Sequence, residues 1–188
     1  MRSNTDAFDK WQEYGVDLPD RRILLDDGLE TPIIGCVIAN LLWMDKTSGP
    51  IDLWINSPGG YVTGMWAIYD VIQNAENHVN TIGIGEISSA AVLLLACGTG
   101  IRSVMPNALL MHHSVQHANV SGHHKAIVDY VAAADKEEER RLRCLATHTK
   151  IKYAEWNRRS LGEWYMTAEE MLEAGLVDEI YGASYEGK

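Results

Sequence analysis

The chain has 188 residues, 46% hydrophobic and 22% charged, with a formal net charge of −10. That length accommodates one sizeable core and one domain. The acidity argues against a nucleic-acid or anionic-membrane surface, because both need concentrated Lys and Arg, and no nucleic-acid motif is present. The opening "MRSNTDAFDK" lacks the basic-then-apolar build of a secretory signal. The apolar run Ala90 to Cys97 is far shorter than the roughly 20 residues that span a bilayer. Cys36, Cys97 and Cys144 stand at wide, motif-free spacing in apolar surroundings, which predicts buried free thiols and a cytoplasmic setting.

Residues 1–20 read as a short N-terminal segment free to stay flexible, residues 21–188 as a single domain, and "YEGK" as a second free tail. "RRILLDDG" predicts a short strand ending in a turn. From Thr31 to Met44, Ile34, Ile38, Leu41 and Leu42 recur at helical spacing until "DKTSGP" breaks the pattern. "IDLWI" is strand-like and runs into the turn signal "NSPGG". In "TGMWAIYDVIQNA", Met65, Ile68, Val71, Ile72 and Ala75 share one helical face. "VNTIGIG" predicts a second short strand, and "SSAAVLLLAC" a buried helix with serine capping at its start. "IRSVMPNALLMHHSV" predicts a pair of strands with Pro106-Asn107 at the turn, followed by a long helix over about 122–150. The charge run "DKEEERR" in that helix, with Glu137/Arg141 and Glu139/Arg143 at i,i+4 spacing, reads as a solvated face. Strand alternating with helix favours right-handed βαβ crossovers and a parallel, layered sheet, so the fold class is α/β with a helical extension after His113.

The chemistry starts at "GEISSAAVLLLACG". A serine between a strand and a helix sits where free N–H groups and the dipole favour developing negative charge, as acyl transfer needs. A capping serine needs no such role. The two glycines of "NSPGG" let the backbone approach a ligand closely, and no "GK[ST]" follows, so this is not a phosphate loop. Of seven histidines, His112 and His113 end an apolar strand, a rigid mount for a base. Successive strand residues face opposite sides, so at most one of the pair meets the serine. His123 and His124 are adjacent on the predicted helix and His117 lies in a loop; none makes a metal-ligand pattern. Spacing nominates no single carboxylate. The residues by themselves point to a serine hydrolase.

Taken in order, "INSPGG", "AIYDVIQ", "GEISSAAVLLLACGTGIRSVMPNALLMHHS", "LATHT" and "AGLVDEI" resemble the proteolytic subunit of the caseinolytic protease, the ClpP family of serine peptidases. The resemblance covers Arg21 onward. It implies the layered βαβ superhelix shared with crotonases, with a protruding long handle helix. It further implies Ser89 as nucleophile, His113 (from "PNALLMHH") as base, and Gly60 and Ala90 as backbone oxyanion donors. Counting from "HT" and back from "MTAEE", the family's aspartate falls on Glu163, which carries the same charge on a longer side chain. No metal or organic cofactor is implied.

By the same resemblance, subunits assemble into a seven-membered ring, or two such rings stacked through the long helix, enclosing sites that cut peptides and unfolded proteins. Three departures bear on partners. The segment before the first strand is shorter than the family's gating hairpin. Asp52 and Trp54 occupy the aromatic docking pocket for the ATPase unfoldase, and a charge there weakens docking of an apolar loop. Gly162 replaces the arginine that commonly precedes the triad acid. These mark a divergent serine endopeptidase, with a catalytically silent ring subunit as the first alternative and a crotonase-type acyl-CoA enzyme as the second.

Overall fold

The computed structural model describes residues 15–116 and 120–182. The expected "YEGK" tail, His117 and most of the N-terminal segment lie outside the described residues. One sheet organises the rest. In β3 (Ile51–Ser57), Ile51, Leu53, Ile55 and Ser57 are buried while Asp52, Trp54 and Asn56 alternate to the other side. Sheet order is β1 (Val16–Asp17), β2 (Arg22–Leu25), β3, β4 (Val79–Ser88), β5 (Arg102–Val104) and β8 (Glu179–Ile180). From β2 to β8 these pairings are parallel. β6 (Leu109–His112) pairs parallel with β4, and β7 (Trp164–Met166) antiparallel with β6.

Helices α1 (Thr31–Met44), α2 (Val62–Asn74) and α3 (Ala91–Ala96) are the crossovers from β2 to β3, β3 to β4 and β4 to β5. Their buried side chains, among them Val37, Leu41, Met65, Ile68, Ile72 and Leu93, form the core with β2, β3 and β4. This is the layered α/β architecture that the alternation of elements predicted. Helix α4 (His124–His148) follows β6, with α5 (Tyr153–Arg159) and α6 (Ala168–Glu173) after it. Only Arg141, Leu142 and Leu145 of α4 are buried, whereas Val128, Tyr130 and Val131 in its first half stay exposed, so that half protrudes from the core. Arg102 ties the end of α4 to the sheet, donating to the carbonyl of His148 at 2.7 Å while paired with Asp178.

Five local expectations change. The strand expected at "VNTIGIG" continues through Ser88, because the far half of β4 gains its own partner in β6 through Glu86↔Leu109 and Ser88↔Met111. The strands flanking Pro106-Asn107 do not pair with each other; β5 lies beside Thr81–Gly83 and β6 beside Glu86–Ser88. Neither serine caps α3, whose N-cap is Ala90 with no side-chain bond. In the charge run, Glu139 and Arg143 pair at 2.6 Å as spacing predicts. Arg141 instead turns inward and pairs with Glu138 at 2.9 Å. Finally, none of the three cysteines is in a disulfide, but only Cys97 is fully buried; Cys36 and Cys144 are half-buried.

Candidate active site

The site begins at the two-residue step from β4 into α3. Ser89 turns the chain with φ 56°, a left-handed conformation that costs a non-glycine residue about 1–3 kcal/mol. Two backbone contacts hold it there. Its N–H donates to the carbonyl of Met111 at 2.8 Å, carrying the β4–β6 ladder one step further. From the other side Gly59 presses against the turn. A Cβ on Gly59 would lie 2.7 Å from the Ser88 oxygen and the Ser89 Cβ, and 2.9 Å from the Ala90 nitrogen. Gly59 also has φ 89°, so both space and conformation demand glycine. The buried Ser57 hydroxyl accepts from the Gly59 N–H at 3.2 Å and donates to the Asp27 carbonyl at 2.7 Å. Ser88 is occupied elsewhere, donating to Glu86 at 2.7 Å.

Gly60 and Ala90, two candidate backbone donors, line the same cleft as Ser89. Leu29 donates to the Gly59 carbonyl at 2.7 Å and accepts from the Tyr61 N–H at 3.0 Å, bridging to Gly60 between them. In a parallel bridge the middle residue turns its own N–H away from its partner, so the Gly60 N–H points away from Leu29. Because Met111 already takes the Ser89 N–H, the next donor along the turn is the N–H of Ala90.

The adjacent histidines have opposite fates. His112 is fully buried, edge-on to Trp156 with ring centroids 4.7 Å apart. Its Nε2 lies 2.8 Å from the Ser160 hydroxyl, whose own proton goes to the Trp156 carbonyl at 2.8 Å. The imidazole must therefore donate from Nε2, leaving Nδ1 as a bare, unpartnered lone pair. Burial, and then the Arg141 guanidinium and the neighbouring His113, push its pKa down to about 2. It stays neutral and is closed to solvent.

His113 takes the other side and opens onto a cleft of about 780 Å³, whose lining includes Pro58, Gly60, Ser89, Ala90 and Arg141. The far wall is carried by α2 and α4. These helices are joined by Trp66, which donates to Glu137 at 2.9 Å and stacks under the Arg140 guanidinium at 3.9 Å. The cleft thus brings together Ser89, His113, Gly60 and Ala90. No hydrogen bond joins Ser89 to His113 among the described residues.

Glu163 precedes Trp164 and His113 follows His112, so both adjoin the last rung of the β6–β7 ladder, His112↔Trp164. Its carboxylate accepts from the Tyr165 hydroxyl at 2.7 Å and has no hydrogen bond to His113. That carboxylate raises the Tyr165 pKa, with burial and Glu86 adding to the effect. A Cβ on the neighbouring Gly162 would meet nothing within 4 Å, so no packing demands glycine there.

Sequence reasoning missed Arg141, Glu138 and Ser160. The Arg141 guanidinium donates to the His113 carbonyl at 2.8 Å, and the Ser114 N–H donates to the Ser160 carbonyl at 3.0 Å. One signal was there to be read: Arg141 stands four residues before Leu145 and next to Leu142, on the apolar stripe of the helix. Among the described residues, no group of three or more His, Cys, Asp or Glu side chains is arranged to hold a metal. No helix of those residues is long and apolar enough to cross a membrane. A model of the Clp protease family matches residues 7–184, almost the whole chain.

Proposed function

The chain belongs to the Clp protease family, and from that premise we propose that it is a serine endopeptidase acting on peptides and unfolded proteins. Ser89 attacks the peptide carbonyl. His113 removes the serine proton and returns it to the leaving amine, while the N–H groups of Gly60 and Ala90 receive the oxyanion. Glu163 orients His113 and balances the imidazolium. The observation that carries this reading is the strained Ser89 turn, φ 56°, seated on Gly59 in the same cleft as His113. A capping or merely structural serine needs neither the strain nor the cleft.

Glu163 is the member with a competitor. Its support is that it adjoins the His112↔Trp164 rung from which His113 leaves the ladder; engaging the imidazole means exchanging or sharing its bond to Tyr165. The same bond favours the second reading, a silent ring subunit. Assembly is proposed from the family: a seven-membered ring, single or stacked, with α4 at the contact between rings. Docking of an ATPase unfoldase is proposed to be weak. Asp52, half-buried beside Trp54, keeps its carboxylate bonded to Asn80 at 2.8 Å, and an apolar loop would have to desolvate it.

The test is intact-mass analysis after fluorophosphonate treatment of the assembled ring, with Ser89→Ala beside the wild type. A single adduct that disappears in the variant supports the peptidase. An intact ring with no adduct transfers the assignment to the silent subunit.

A further inference from the structure

We infer that Arg141 and Glu138 on α4 are positioning residues for His113, an inference that rests on the peptidase reading above. The ladders that fix β6 end at His112: its last rung to β7 is His112↔Trp164, and its last to β4 is Ser88↔Met111. Residues 113–115 therefore carry the base beyond the sheet, and their backbone is held by other means. The Arg141 Nη2 donates to the His113 carbonyl at 2.8 Å. The Val115 N–H donates to Glu138 Oε2 at 3.4 Å, and the Ser114 N–H between them to the Ser160 carbonyl. Arg141 is itself locked by Glu138, to which both Nε and Nη2 donate at 2.9–3.2 Å.

The burial of this pair is what separates a positioning role from an ordinary surface bridge. The Arg141 side chain is 2% exposed and that of Glu138 20%. A buried ion pair does not as a rule outperform apolar packing, since desolvation offsets the attraction. Leu142 and Leu145 beside it show that this face of α4 packs apolar side chains. What an apolar side chain cannot do is bond the carbonyl of residue 113 and the N–H of residue 115 together. The pair supplies that bracket, and Arg141 does so from the wall of the cleft into which His113 opens. Displacing a base by about 1 Å costs on the order of 100-fold in rate while leaving substrate contacts in place.

The experiment compares wild type, Arg141→Met, Arg141→Lys and Glu138→Ala as assembled protein. Peptide kcat and KM are measured together with the NMR signals of the His113 imidazole. In Arg141→Met, kcat falls by about 10–100-fold with KM within about threefold. In Arg141→Lys, which keeps a donor, most of that loss is recovered. Glu138→Ala, at the more exposed partner, lowers kcat by about three- to tenfold and serves if Arg141→Met does not fold. In both deletions the His113 ring signal shifts or broadens while that of His112 stays put. An Arg141→Met enzyme with kcat within about twofold of wild type overturns the inference. So does a loss shared equally by Arg141→Lys, or a loss explained by KM. If the wild type is not labelled at Ser89, the peptidase reading falls by itself. Positioning is then judged on the His113 signal, and an unchanged ring in both deletions overturns it.

Discussion

The two halves of the cleft are made of different materials. On the nucleophile side, Ser89 is fixed by backbone: the Met111 carbonyl on one side, the bare Cα of Gly59 on the other, and the ladder of β4 behind it. On the base side, His113 leaves the sheet and its carbonyl is held by a side chain 28 residues further along the chain, while its expected carboxylate partner is bonded to a tyrosine. Backbone contacts leave no rotamer freedom and tolerate almost no substitution. Side-chain contacts can be loosened, exchanged or retuned one at a time. On the peptidase reading, catalytic strength is therefore adjustable from the base side, whereas the nucleophile side is all or none.

The largest expected effect is at Gly59. In Gly59→Ala the Cβ meets three atoms of the turn at under 3.0 Å, so the turn must move; stability falls by about 3 kcal/mol or more and fluorophosphonate labelling is lost. Urea denaturation and intact mass check both. If Gly59→Ala keeps its labelling, the backbone account of the nucleophile fails.

Next comes Ser89 itself. Ser89→Ala abolishes turnover and keeps the strain, whereas Ser89→Gly abolishes turnover and relieves it, raising stability by about 1 kcal/mol relative to Ser89→Ala. Equal melting temperatures would show that the turn stores no strain.

A smaller effect belongs to His112. Its folded-state pKa, about 2, lies below the ordinary histidine value near 6.5, so between those limits the unfolded chain binds more protons. Stability rises with pH across that window and is lost on acidification, by about 1.4 kcal/mol per pH unit from this one group. His112→Gln should flatten the dependence between pH 7 and pH 5, which denaturant unfolding at the two values measures. Any steepening would contradict a neutral, buried imidazole.

The smallest is Tyr165→Phe, which frees the Glu163 carboxylate. Turnover should rise by about two- to fivefold with little change in stability. A fall would show that the tyrosine assists Glu163 instead of competing for it.

Legibility in the sequence follows the same division. "NSPGG" and "GEISS" betray a backbone-built turn, because only glycine tolerates such contacts and few residue types suit the step between strand and helix. The bounds of the helix Thr31–Met44 were readable from its period and from the break at "DKTSGP", but the face it buries is that of Val37, Leu41 and Met44, with Leu42 exposed. The turn type at Ser89 was not. A serine before an apolar helix reads as a cap, and only the pull of β6 on the end of β4 puts it in a left-handed turn. Arg141 was hidden for the opposite reason. Within "DKEEERR" every residue looks solvated, and only the place of Arg141 on the stripe of Leu142 and Leu145 marks the one guanidinium that turns inward. Glu163 could be located by counting, but its bond to Tyr165 depends on a side-chain choice that no spacing encodes.

The late position of β7 carries a further consequence, one of timing. Emerging N-terminus first, the chain can complete β2, β3 and β4 with their crossovers, and seat Ser89 on Gly59, before α5 and β7 are made. The anchors of the histidine pair are Arg141, Ser160 and Trp164, so the last of them arrives 75 residues after Ser89. On the peptidase reading, a nascent subunit displays its serine long before it can deprotonate it. On that reading the order of residues along the chain sets a delay between the proposed nucleophile and its base.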